Sequence, residues 1–309
     1  MTSLSLQKYR GRFAPSPTGP LHFGSLIAAV GSYLQAKSQG GEWLVRIEDL
    51  DTPRNVFGAA DDILRMLEAF GFEWDGELIY QSERNEIYRA ALETLTAQGA
   101  TFRCACSRKE IADSSMIGIE GPVYPGKCRG GVMPGRKAHA IRVRVGESKI
   151  EFTDLVQQSI AQNLATEIGD FVLRRADDII AYQLAVVVDD AAQGITEIIR
   201  GADLLASTPR QIFLQRLLGY PIPRFGHLPV ATNRAGEKLS KQTLAQAVDT
   251  KHSTGLLFDA LTFLGQSPPA ELQQPSQKPL WDWALGHWSL AKVPAVRTIP
   301  INDNPPTVG

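Results

Sequence analysis

Residues 14–36 read APSPTGPLHFGSLIAAVGSYLQA, a proline- and glycine-rich turn running straight into a long apolar helix pattern. Pro17 and Pro20 stiffen the turn, and Gly19 and Gly24 let a ligand come close to the backbone. A helix beginning near His22 points unpaired N–H groups and the positive end of its dipole into that turn, a place that suits phosphate. The His22 ring can donate to a phosphate oxygen. In isolation, a plain helix-start turn with a capping-region histidine reads the same way.

Working outward, a short strand is expected around residues 10–14 and a helix from about 22 to 38. After Gly40-Gly41, WLVRIED reads as a buried strand and AADDILRMLEAFG as a helix. This βαβα order predicts a parallel sheet with right-handed crossovers. Residues 1–99 are read as the first half of an α/β domain, with a last amphipathic helix over 83–98. TFRCACS, a glycine- and proline-rich stretch from Gly118 to Gly135, and the runs AIRVRV and IEFTDL then mark 100–170 as an insertion. The α/β pattern resumes over 171–250 with a helix, the strand ITEII, a further helix, a strand near HLPVAT and the loop GEKLSKQ. Residues 251–309 read as helical (GLLFDALTFLG, WDWALGHWSLA) and end in an irregular tail. This last part is too short for a second large substrate-binding domain.

The chain has 309 residues, 43% hydrophobic and 21% charged, ordinary values for a folded protein of more than one domain. Lys and Arg total 32 against 33 acidic residues, so no global basic field advertises nucleic acid, although a local basic face is compatible with the balance. Three cysteines do not form a disulfide framework, and a reducing cytoplasm is the expected compartment. The N-terminus lacks a signal-peptide pattern, and no apolar run approaches the roughly 20 residues of a membrane span.

Lys238-Leu239-Ser240-Lys241-Gln242 follows a strand and a glycine, placing two lysines on one loop. Alone, such a loop is a solvated surface feature; together with a histidine at a helix start it makes a phosphoryl-transfer clamp. His22-Phe23-Gly24-Ser25 resembles the HIGH signature of class I aminoacyl-tRNA synthetases, and Lys238 to Gln242 resembles their KMSKS loop. Arg12-Phe13-Ala14-Pro15-Ser16-Pro17-Thr18-Gly19 narrows the resemblance to the glutamyl and glutaminyl group, and the similarity runs from about Tyr9 through Gln242.

The resemblance implies a Rossmann-like α/β catalytic domain that activates L-glutamate with ATP and Mg²⁺, giving glutamyl-adenylate and pyrophosphate. His22, Gly24, Ser25 and Lys241 would hold the nucleotide, with His22, Lys241 and more weakly Lys238 stabilising the charge that moves onto pyrophosphate. Arg12, Phe13, Ala14, Pro15, Ser16, Glu48, Tyr182 and Arg200 would line the glutamate pocket. A ligand with two carboxylates and an ammonium calls for arginine, here Arg12 and Arg200, and for an acid, here Glu48. Taken singly, each has a structural reading: Arg12 and Glu48 pairing across strands, Tyr182 in the core, Arg200 at a strand end.

Cys104, Cys106 and Cys128, with Tyr124 four residues before the last, fall within one 25-residue window of the insertion. Zinc takes four ligands in a tetrahedron and can stabilise a segment with a meagre core. Tyr124, His139 or water is the candidate fourth ligand, and free buried thiols are the alternative. Some members of the glutamyl-like family carry this C-x-C and Y-x-x-x-C arrangement for Zn²⁺.

Full-length glutamyl-tRNA synthetases carry a large anticodon-reading domain after the lysine loop, whereas only about 65 residues follow Gln242 here. The resemblance to short members implies transfer of glutamate to the cyclopentenediol of queuosine at the wobble position of tRNA(Asp); separately, a monomer is expected. Lys127, Arg129, Arg136, Lys137, Arg142 and Arg144 offer either a phosphate-contacting face or a solvated surface. The competing expectations are a truncated glutamyl-tRNA synthetase charging the tRNA 3′ end, a non-catalytic tRNA-binding relative, and an adenylyltransferase making a small cofactor.

Overall fold

The computed structural model describes residues 8–234, 236–238 and 248–301. Leu239, Ser240, Lys241 and Gln242 of the lysine loop lie outside them. The first half of the chain comprises β1 (Arg10–Phe13), α1 (Phe23–Lys37), β2 (Glu42–Ile47), α2 (Ala59–Ala69), β3 (Ile79–Tyr80) and α3 (Asn85–Ala97). Next come β4 (Thr101–Cys104), α4 (Arg108–Ala112), β5 (Ile117–Gly118), β6 (Gly121–Pro122), β7 (Ala140–Val143), β8 (Lys149–Asp154), β9 (Gln158–Asn163), α5 (Leu164–Glu167) and β10 (Val172–Arg174). The remainder holds α6 (Tyr182–Ala192), β11 (Glu197–Gly201), α7 (Thr208–Leu218), β12 (Arg224–Leu228), β13 (Val230–Thr232), α8 (Ser253–Phe263), α9 (Lys278–His287) and β14 (Thr298–Pro300). No helix among the described residues is long and apolar enough to cross a membrane.

Strands β1, β2 and β3 pair in parallel, as do β11 and β12. The Thr196 N–H donates to the Arg10 carbonyl at 2.9 Å and joins the two sets, giving the order β3-β2-β1-β11-β12. The order reverses between β1 and β11, and in open parallel sheets the crevice at the carboxyl ends of such strands is where ligands bind. Arg12 lies near the end of β1 and Arg200 near the end of β11, so two residues 188 positions apart reach one crevice by topology.

Helix α1 closes against this sheet closely because residue 31 is glycine: a Cβ there would run into the Leu228 side chain. Leu26, Ile27 and Leu34 of α1 share one core with Leu257 and Leu261 of α8, Leu264 just after it, and Leu280 and Ala284 of α9. The C-terminal helices therefore complete the core around α1. Thr298–Pro300, expected as part of an irregular tail, instead pairs in parallel with Val230–Thr232. Proline ends that strand, where its missing N–H costs least.

Within residues 100–170 the structure is divided. Val143, Val145, Ile150 and Leu164 pack in the same core as α3, α6 and α7, and Leu155 donates its N–H to the Phe225 carbonyl of β12 at 2.8 Å. Phe102, Cys104, Ile111, Tyr124 and Cys128 form a separate small core.

Candidate active site

The turn at 14–25 is built much as its residues suggest. His22 is extended (φ −114°, ψ 171°) and caps α1, its Nδ1 accepting from the Ser25 N–H at 3.3 Å and its Nε2 lying 3.2 Å from Ser25 Oγ. Gly19 has φ 136°, which a side chain would resist. Glu48 donates its N–H to the Pro15 carbonyl at 2.9 Å, bringing the ends of β1 and β2 together. Val248, the first described residue after the lysine loop, donates its N–H to the Leu21 carbonyl at 3.1 Å. The described chain thus resumes at Val248 beside the histidine turn. Lys238 bridges to Thr232 and its ammonium pairs with Asp203; Lys241 lies outside the described residues.

The crevice floor is a network of buried charges. Arg12 pairs with Asp190 (Nε–Oδ1 3.1 Å, Nη2–Oδ2 3.3 Å). Arg46, wholly buried, donates to Asp190 at 2.9 Å, to Gln193 at 2.5 Å and to Glu48 at 3.3 Å. Asp189 accepts from Arg84 at 2.8 Å, Tyr88 at 2.8 Å and Gln81 at 2.7 Å. Burial alone would raise the Asp190 carboxyl, but Arg12 and Arg46 outweigh it and hold the group below its ordinary value. At Glu48 burial wins: its carboxyl is raised despite Arg46 and Arg12.

Arg200 is different. It is buried, yet among the described residues its hydrogen-bond partners are all neutral: His227 (3.0 Å), Thr208 (2.8 Å), Gln211 (2.8 Å), the Leu204 carbonyl (3.5 Å) and Tyr182 (3.4 Å). Burial, which raises the Tyr182 phenol, lowers the Arg200 guanidinium. A buried cation solvated only by dipoles is poised for an anion.

Of the residues expected from sequence, Arg12, Glu48, Tyr182 and Arg200 meet in this crevice; the charge of Arg12 acts on the other three. Ala14, Pro15 and Ser16 form the partly exposed chain leaving β1, and Gly24 and Ser25 open α1. The Phe13 side chain turns into the core and stacks on Trp43, with ring centroids 6.1 Å apart. Sequence reasoning missed Arg46, Asp189, Asp190, Asp154 and His227. The signal was present: two acids at the end of the apolar run YQLAVVVDDAA, and a histidine inside the strand RFGHL.

The cysteine cluster is a second centre. Cys106 Sγ lies 3.6 Å from Cys128 Sγ, and the Tyr124 hydroxyl lies 3.5 Å from Cys104 Sγ and 3.8 Å from Cys106 Sγ. Tetrahedral zinc with bonds of about 2.3 Å sets its sulfurs about 3.8 Å apart. All three sulfurs fall within 4.8 Å of one another, so the donor set fits a tetrahedral ion. His139 is exposed and is not in the cluster, whereas the Tyr124 hydroxyl lies beside two of the three sulfurs.

The profile of the class I tRNA synthetases (E and Q) catalytic domain matches residues 8–264. The chain belongs to this class I synthetase family. Its relatives include the glutamyl-Q tRNA(Asp) synthetase of Dechloromonas aromatica, 62% identical over 93% of this chain and 96% of that one. The glutamyl-Q tRNA(Asp) synthetase of Chromobacterium violaceum is 60% identical over the same shares. Among solved structures, the glutamate–tRNA synthetase of Elizabethkingia anophelis superposes with a TM-score of 0.76 at 25% identity. The match covers 94% of this chain and 67% of that one. The Rossmann-like catalytic domain expected of this class I family, with its sheet switch point, is thus the fold observed.

Proposed function

We propose that the chain activates L-glutamate with ATP and Mg²⁺ and transfers it to the queuosine cyclopentenediol of tRNA(Asp). The observation that carries the reading is Arg200: a buried cation solvated only by neutral groups, facing a crevice that also holds the buried acid Glu48. Arg200 receives the side-chain carboxylate and Glu48 the ammonium. Arg12, already paired with Asp190 through Nε and one Nη, keeps its other Nη for the ligand.

The α-carboxylate, ionised at neutral pH, attacks the α-phosphorus of ATP without a general base. The residues' task is to position the reactants and to stabilise charge. His22 and the N-terminus of α1 steady the phosphoryl oxygens, and Lys241, with Lys238 in a lesser role, follows charge onto pyrophosphate. In this structure Lys238 rests on Asp203, so its engagement requires exchanging that carboxylate for phosphate. One preorganised donor is worth about 3 to 4 kcal/mol, so Lys241→Ala is expected to lower glutamate-dependent ATP–pyrophosphate exchange about a hundredfold or more.

Cys104, Cys106, Cys128 and Tyr124 would hold Zn²⁺, which supplies the cross-link that this small core lacks. Thiols kept as metal ligands suit a reducing cytoplasm. The acceptor assignment is supported by the relatives named as glutamyl-Q tRNA(Asp) synthetases, which this chain matches along nearly their whole length. Transfer of labelled glutamate to queuosine-containing tRNA(Asp), with none to unmodified tRNA(Asp) or tRNA(Glu), is the expected result. Charging of tRNA(Glu) at its 3′ end would favour a truncated glutamyl-tRNA synthetase.

A further inference from the structure

The Arg200 guanidinium is tied down on two of its three nitrogens. Its Nε–H donates to His227 Nε2 at 3.0 Å, and one Nη donates to Thr208 Oγ1 and Gln211 Oε1, both at 2.8 Å. Among the described residues the other Nη has only the Tyr182 hydroxyl, at 3.4 Å, so this is the edge left to meet a ligand. We infer that His227, locked by Asp154 as its Nδ1–H tautomer, is the positioning residue that fixes the plane of Arg200 for the substrate's side-chain carboxylate. The inference rests on the reading of Arg200 given above.

An imidazole nitrogen that accepts from Arg200 carries no proton, so the ring's proton is on Nδ1. Nδ1 lies 2.5 Å from Asp154 Oδ2. The other oxygen, Oδ1, accepts the backbone N–H groups of His227 (3.0 Å), Val156 (3.0 Å) and Gln157 (2.8 Å), so the carboxylate cannot turn. Both side chains are fully buried. The charged and titratable neighbours of His227 are Asp154 from β8, Arg200 from β11 and Asp203 from the turn after it. Thr208 of α7 lies 3.1 Å from Nε2, and Phe225 stacks on the ring from the same strand. Burial pushes the imidazole down to about 4, which keeps Nε2 an acceptor at neutral pH. A histidine in a β-strand thereby links the β8–β9 hairpin to the carboxylate receptor.

The test combines exchange kinetics with histidine-selective nitrogen NMR on the full chain. His227→Leu removes the acceptor and is expected to raise the KM for glutamate about tenfold or more, leaving the KM for ATP within about twofold. His227→Gln sets a carbonyl oxygen near the position of Nε2 and is expected to recover most of that loss. Asp154→Asn can donate to Nδ1 and drive the proton to Nε2, against the Arg200 N–H; its glutamate KM is expected to rise as in His227→Leu. The NMR should show Nδ1–H in the wild type and Nε2–H in Asp154→Asn. An Nε2–H wild type, a His227→Gln variant as impaired as His227→Leu, or equal changes in the two KM values would overturn the inference. A wild type with Nδ1–H but no exchange with glutamate would overturn instead the assignment of the substrate.

Discussion

Asp190 serves two arginines at once, Arg12 at 3.1 Å and Arg46 at 2.9 Å, in a place from which water is excluded. Removing it leaves two buried cations short of a counter-charge, so Asp190→Ala should cost about 3 to 5 kcal/mol, read as a fall in the denaturation midpoint. His227 gives a pH signature. Its imidazole titrates at about 4 in the fold against 6.5 ordinarily. The unfolded chain therefore takes up this proton first: the contribution is full above about pH 6.5, declines as the pH falls toward 4, and is gone below. The difference is on the order of 3 kcal/mol, to be read as the part of the acid destabilisation that His227→Gln lacks. At this scale the residues that meet in the crevice were legible, because Arg12, Glu48, Tyr182 and Arg200 sit in short motifs. Their supports were not. Asp190 lies 178 residues from Arg12 and His227 lies 73 from Asp154, and nothing local distinguishes a histidine in an apolar strand from a core histidine.

Elements explain why the motifs meet. Strand β1 ends in the crevice, α1 begins beside it, and β11 arrives beside β1 from the far half of the chain. Hydrophobic periodicity and glycine placement made these strands and helices readable; the close approach of α1 to Leu228 at Gly31 was not, because only the packed partner reveals it. Gly31→Val should destabilise by about 1 to 3 kcal/mol through overpacking. The small core around Phe102, Ile111 and Tyr124 also holds Cys104 and Cys128. Purified protein is expected to carry one zinc per chain, and Cys106→Ser to lose it together with thermal stability; metal analysis showing zinc in neither form would contradict the assignment. Thr298–Pro300 eluded the sequence because three residues ending in proline have no periodicity, and their pairing with Val230–Thr232 depends on a strand 68 positions away.

On the scale of the whole molecule, α8 and α9 share the core of α1, so the C-terminal segment stabilises the helix that His22 caps. The described structure is one catalytic fold with its crevice at the sheet's switch point, and the account stands on that crevice receiving an acidic amino acid beside a nucleotide. Pyrophosphate exchange into ATP, measured with magnesium and a panel of amino acids, tests this most directly. Glutamate should support exchange, glutamine and aspartate should give little, and Arg200→Ala should abolish it. Equal exchange with glutamine, or none with glutamate, would contradict the account.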